Sequence, residues 1–433
     1  MNLSHRSRLG LLLLCLLLTA CGVSANADRY ERQAEQFLAE GRLPEAVLTY
    51  RQALALKPND PRLLKGLGLA LSKQGRARSA AQVLEQAARL APDDPSIQDV
   101  LRELVTYPQE GYSLKLGWQA TPVQGEPVGA VVSAGRVFVT YAEGHLVALE
   151  QNSGQILWQM EVPAGLTSPP AADGEQVWVG AADGSILTFD SASGQSLGRY
   201  LTQGAVYAAP ALTPTLAYCP SNDGTLYVLR RDNFQQAWKA VIGAPLHVSP
   251  LVSEQAVYVG ANDGRLYGFD ALTGERIWAY GILTQGAVES VPVQAGGRIF
   301  VGSGDGRVYA LEAATGGEYW RFSTPDAVYA SPLILGEQVI VASSGQMLAS
   351  LRYADGALLW SFAAPHPISE APVFFNDRLY LTMRGDPRLL IVDPQDGNLL
   401  GELNTGDWVA VGPLATDTDI ILVGKDGVVI LYR

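Results

Sequence analysis

The chain has 433 residues, 48% of them hydrophobic and 17% charged, with 45 glycines and 25 prolines. That is enough chain for two or three cores, and the composition is unlike that of a disordered polymer. Its 31 basic and 43 acidic side chains leave a net charge of −12, the wrong sign for a protein that grips phosphate backbones, which argues against nucleic acid as the main partner.

Residues 1–21 read as an address rather than as structure. Arg6 and Arg8 precede the apolar run Leu9–Leu18, and Leu18-Thr19-Ala20-Cys21 closes it. The run is shorter than the roughly 20 apolar residues of a spanning helix. Leu-Thr-Ala-Cys resembles the lipobox of bacterial lipoproteins. The resemblance implies a signal peptide over 1–20, a lipid on Cys21, an anchor linker over 21–27 and no transmembrane helix. It places the protein in the cell envelope, on the non-cytoplasmic side of a membrane, and Gly22 is compatible with the periplasmic face of an outer membrane. Cys15 leaves with the signal and Cys219 is then the one thiol remaining, so no internal disulfide is expected.

Residues 28–107 repeat with a period of 34: Gly41 and Gly75, Ala46 and Ala80, Ala53 and Ala87, Pro58 and Pro92. Apolar residues at helical spacing lie between them (Phe37, Val47, Tyr50, Leu54, then Leu67, Leu71, Leu84, Ala88). The small residues let antiparallel helices approach, and each proline ends a helix. Gly68, Ala80, Leu84, Ala87 and Pro92 resemble the tetratricopeptide pattern. The first unit departs from it, with Tyr30 at the usual tryptophan and Ala34 at the usual glycine. Residues 95–106 predict a closing helix.

From residue 112 the period becomes about 40 and alternation replaces helical spacing. Trp118, Trp158, Trp238, Trp278, Trp320 and Trp360 mark six copies, with Gly198 and Leu400 at the unoccupied phases. Turn glycines recur at Gly144, Gly184, Gly224, Gly264, Gly306, Gly345, Gly385 and Gly427. Five follow Asp (Asp183, Asp223, Asp263, Asp305, Asp426), which predicts type I′ hairpins. A second turn of Ser/Thr-Gly type follows at Gly154, Gly194, Gly274 and Gly316. Four strands per unit, eight times over, predict an eight-bladed β-propeller spanning 112–433. The last unit supplies three strands, ending at Val428–Arg433, and the strand Ser113–Gln119 is expected to complete it and close the ring. The fold class is thus all-α helical repeats followed by an all-β propeller.

Ala261 through Trp278 carries the clearest copy of a unit that resembles the pyrroloquinoline-quinone-type, tryptophan-docking repeat. Lipobox, eight blades and the lack of a Cys-Cys pair resemble the propeller lipoproteins of the outer-membrane β-barrel assembly machinery, which implies a scaffold in outer-membrane assembly. The tetratricopeptide repeats are a departure from that family.

The six tryptophans occupy one place in each unit, so they predict packing between blades rather than a cofactor stack; each ring buries roughly 150–250 Å². The turn aspartates are read as hairpin residues, because calcium needs six to eight converging oxygens. His145, His247 and His366 fall in different units and suggest no metal site. Walker, nucleophile-elbow and H-E-x-x-H motifs are absent from the sequence, so neither catalysis nor a cofactor is expected. The competing reading is a quinoprotein or small-molecule sensor that uses the propeller funnel. The position three residues before each inner-strand proline (Leu166, Tyr207, His247, Glu289, Tyr329, Ser369 and Ala410, with Glu126 in the first unit) is expected to ring one mouth. Tyr207, His247, Glu289, Tyr329 and nearby Trp408 are the candidate partner-binding residues, and the repeat groove is a second protein-binding surface. Residues 28–107 carry 12 basic and 11 acidic side chains, whereas 108–433 carry 17 and 32, a net of −15. Anionic lipid repels such a propeller, so it should project away from the membrane that holds its anchor.

Overall fold

Among the described residues five helices come first: α1 over residues 26–39, α2 (Leu43–Leu56), α3 (Pro61–Lys73), α4 (Ala77–Leu90) and α5 (Pro95–Thr106). The computed structural model describes residues 26–73, 77–106, 114–281, 286–368 and 370–433, so Cys21 and Gly75 lie outside the described residues. Helices α3 and α5 start alike, 34 residues apart. Asp60 and Asp94 accept backbone N–H bonds from Arg62 (3.0 Å) and Ser96 (2.9 Å), and Pro61 and Pro95 follow at the first helical position, where a missing N–H costs nothing. Ala34, Ala46, Ala53, Ala70 and Ala80 are wholly buried between helices, with Leu63, Leu67 and Leu71 filling the gaps. Gly68 lies against the Leu84 side chain, with no room for a Cβ.

The second unit, which divides from the first at residue 113, holds eight four-stranded antiparallel sheets. Blades 1 to 7 span 127–161, 171–201, 211–241, 251–281, 293–323, 333–363 and 373–404. Blade 8 takes Val409–Ala415, Ile420–Gly424 and Val429–Tyr432 from the end of the chain and Leu116–Ala120 as its outer strand. Lys115 and Arg433 exchange both backbone bonds, at 2.8 and 2.9 Å. The chain is therefore helical repeats followed by a propeller closed by its own first strand. The core runs between blades: Val137, Val139, Tyr141, Val147 and Leu149 of blade 1 pack on Ile421, Val423, Val429 and Leu431 of blade 8. Each such buried aliphatic side chain contributes about 1.5–3 kcal/mol.

Each docking tryptophan reaches from the outer strand of one blade onto a turn of the next. The indole N–H groups of Trp118, Trp158, Trp238, Trp278, Trp320 and Trp360 donate to the carbonyls of Gln151, Ser191, Ala271, Ala313, Tyr353 and Pro394 at 2.8–3.2 Å. The rings lie flat on Gly154, Gly194, Gly274, Gly316, Gly356 and Gly397, where any Cβ would strike them. All six glycines have positive φ, so shape and backbone both require glycine there.

Three sequence expectations need correction. The Asp-Gly turns are not type I′, since none of the five aspartates has positive φ. In blade 2, Gly184 N–H donates to Ala181 O at 3.1 Å, giving a type I turn with a left-handed glycine behind it. Pairs with two positive φ values occur instead at the inner hairpins, Ala134-Gly135, Gly296-Gly297 and Asn376-Asp377. In blade 6 the left-handed residue is Gln346 (φ 63°), one place after Gly345. In blade 7 the tryptophan phase belongs to Gly401, which faces Ile391 as Trp158 faces Ala148, rather than to Leu400.

Candidate functional site

One face of the ring is built from the inter-blade connections and the turns between second and third strands. The N–H groups of Asn222, Asn262, Gly304, Ser344, Arg384 and Lys425 donate to the carbonyls of Ala205, Pro245, Ala287, Ala327, Pro367 and Trp408 at 2.8–3.1 Å. Within each connection one apolar residue is plugged into the blade: Leu166, Val206, Leu246, Val288, Val328 and Ile368 are all buried. Leu166 thus belongs to the plug, because the Pro169-Pro170 doublet shifts the count by one. The rim residue there is Thr167, whose hydroxyl donates to Val206 O at 2.7 Å. Ser369 lies outside the described residues.

The residue after each plug stands at the rim. Tyr207 and Tyr329 are each 43% exposed, while Ala208 and Ala330 beyond them are buried. Tyr207 meets His247 edge to face, with centroids 5.4 Å apart. His247 is held between two asparagines, Nε2 at 2.7 Å from Asn222 Oδ1 and Nδ1 at 3.0 Å from Asn262 Nδ2. Donation from Nε2 and acceptance at Nδ1 suit the neutral ring, and leave Asn262 Oδ1 buried without a partner among the described residues. Glu289 is half-buried on the next connection. Trp408 does not join the tyrosines; Lys425 Nζ lies 5.1 Å over its ring. Of the five candidates, Tyr207 and His247 touch, and Glu289, Tyr329 and Trp408 are spread around the mouth.

Glu370 was missed from sequence. It stands where the other connections carry Ala208, Val248, Ser290 and Ala330, and burial pushes its carboxyl up to about 7. Aligning the eight connections would have exposed it. The turn aspartates are committed to their own hairpins. Asp183, Asp223, Asp263, Asp305 and Asp426 each accept the N–H two residues on, at 2.8–3.1 Å. Among the described residues no group of three or more His, Cys, Asp or Glu is placed to hold a metal. His145 sits beside Gln159 and His366 beside Asp386. Cys219 is fully buried, which raises its thiol pKa and keeps it unreactive.

A ring of eight sheets, six of its interfaces locked by an indole, with helical repeats before it, defines a tryptophan-docked propeller protein. The sequence profile of outer membrane protein assembly factor BamB matches residues 113–245, 197–288 and 282–408, and the chain belongs to that family. A tetratricopeptide repeat profile matches residues 37–104. No curated protein matches the chain significantly. Among solved structures, BamB from Moraxella catarrhalis is similar at 16% identity and TM-score 0.66, covering 74% of this chain and 100% of that one. The computationally designed Ika8 protein follows at 18% and 0.64, covering 72% and 97%. Quinohemoprotein alcohol dehydrogenase from Comamonas testosteroni aligns at 12% and 0.63, covering 74% and 76%. At these identities the likeness is one of fold.

Proposed function

We propose that the protein is a non-catalytic scaffold of the cell envelope, anchored by lipid on Cys21, that assists outer-membrane protein assembly by holding other proteins at the propeller mouth and along its helical repeats. The observation that carries the reading is the rim itself. Two tyrosines stand nearly half exposed on connections whose neighbouring residues are buried in the blades. Rigid aromatic side chains on a fixed scaffold bind protein surfaces at little entropic cost. Membership of the BamB family supports the assembly role, and the net −15 of residues 108–433 supports a propeller facing away from anionic lipid.

Affinity capture from native envelope tests this. Tyr207→Ala with Tyr329→Ala should lower recovery of co-purified protein at least about fivefold, a loss of roughly 1 kcal/mol, with unchanged thermal unfolding. Wild-type recovery by the double variant would refute the mouth as the binding face.

A further inference from the structure

Six blades carry an aspartate at the turn between second and third strands, Asp386 of blade 7 joining the five Asp-Gly aspartates because it too accepts the N–H two residues on, and they offer an internal comparison. In five blades the outer carboxylate oxygen is occupied from within. Asp183 Oδ2 accepts Arg199 Nη2 at 2.8 Å, and Asp386 Oδ2 accepts Arg388 Nη2 at 2.6 Å. Asp223, Asp263 and Asp305 accept the phenols of Tyr227, Tyr267 and Tyr309 at 2.6–2.9 Å. In blade 8, Asp426 uses Oδ1 for the Val428 N–H, and no basic or phenolic group among the described residues bonds its carboxylate. Strand register explains why. Tyr227 faces Lys239, Leu187 faces Arg199, and at the same place Ile430 faces Gln119. Isoleucine carries no hydroxyl, and glutamine is shorter than arginine and uncharged. A cavity of about 250 Å³ results, lined by Gln119, Asp407, Val409, Asp426, Val428 and Ile430 among others.

We propose that this cavity receives an arginine side chain from a docked protein partner. Val409 and Ile430, both buried, form an apolar floor for the methylene stem. Asp426 and Asp407 at the rim offer acceptors for the guanidinium fork. Blade 2 shows the arrangement with the chain's own arginine in place. The excess of acid over the whole propeller favours a cationic visitor. The source of the arginine rests on the scaffold reading; the chemistry of the cavity does not.

The probe is N-acetylargininamide, with the isosteric, uncharged N-acetylcitrullinamide beside it, titrated into the full chain while the amide resonances of Gly406 and Gly424 are followed. The arginine compound should shift them saturably, and the citrulline compound should bind at least about tenfold more weakly. Asp426→Asn, which keeps the acceptor for Val428, should weaken the arginine compound by about tenfold. Gln119→Arg should abolish its binding by filling the slot from within, and Asp183→Asn should change nothing. Equal binding of the two compounds, or full binding by Gln119→Arg, would overturn the site. Partner capture by Gln119→Arg separates the two proposals. Reduced capture supports an arginine supplied by the partner. Wild-type capture by Gln119→Arg alongside loss in the tyrosine double variant overturns that source and leaves the mouth standing.

Discussion

Two of the eight blade interfaces lack the docking tryptophan, and they lack it for different reasons. Between blades 2 and 3 the indole is replaced by Gly198 and the receiving glycine by Phe234, which holds a left-handed φ of 59°. The phenyl ring fills the space beside Gly198 and lies 5.7 Å from Trp178. The ring has changed sides of the interface and the gap stays filled. Between blades 7 and 8, Gly401 has only the tip of Ile391 near it, at 3.9 Å from where a Cβ would be. Blade 8 draws its outer strand from the other end of the propeller, so it has no turn to receive an indole. One interface is compensated and the other is relieved of the requirement. The cavity beside Asp426 lies on blade 8, which takes part in the relieved interface, so the symmetry break that closes the ring coincides with a vacant slot.

Substitutions sharpen that contrast. The largest effect is expected at an ordinary interface: Trp278→Ala, removing a buried ring and its bond to Ala313, should cost about 3–5 kcal/mol in denaturant unfolding. Next comes the swapped pair. Phe234→Gly and Gly198→Trp should each destabilise, one by a cavity and one by a clash, while the double variant restores the usual arrangement; a coupling energy of about 2–3 kcal/mol is expected. Additive losses would show that the two positions do not trade one ring. Glu370 tests the mouth by pH. Its carboxyl ordinarily titrates at 4.5 and here at about 7, so the folded chain binds a proton that the unfolded chain has released. Stability should therefore fall as pH rises from 4.5 through 7. Glu370→Gln should flatten that slope and gain on the order of 1–3 kcal/mol at pH 8, measured by thermal unfolding across pH. The smallest effect is predicted at the relieved interface: Gly401→Trp should change stability by less than about 0.5 kcal/mol.

The number of blades, their order and the closing strand were legible because tryptophan and glycine repeat at places where packing and positive φ permit little else. Register was less legible wherever one copy was altered. The Pro169-Pro170 doublet puts Thr167 rather than Leu166 at the rim, and the repeat phase lies one place beyond Gly345 in blade 6 and beyond Leu400 in blade 7. The class of the Asp-Gly turns is not legible from the dipeptide, because type I′ and type I with a left-handed glycine share it; they differ in φ at the aspartate. The Gly198–Phe234 exchange lies across two blades and breaks both repeats at once, so each half looks like a defect alone. The rim tyrosines could be read from spacing. The asparagines that hold His247, and the cavity beside Asp426, depend on strand partners far apart in sequence.

The most direct test of the mouth as the working face is photo-crosslinking in the native envelope. A benzophenone amino acid would replace Tyr329 at the rim or Tyr319, 49% exposed on the outer strand of blade 5, which precedes that connection. The account predicts a discrete adduct with a partner protein from position 329 and none from 319. Adducts from 319 with none from 329 would contradict it.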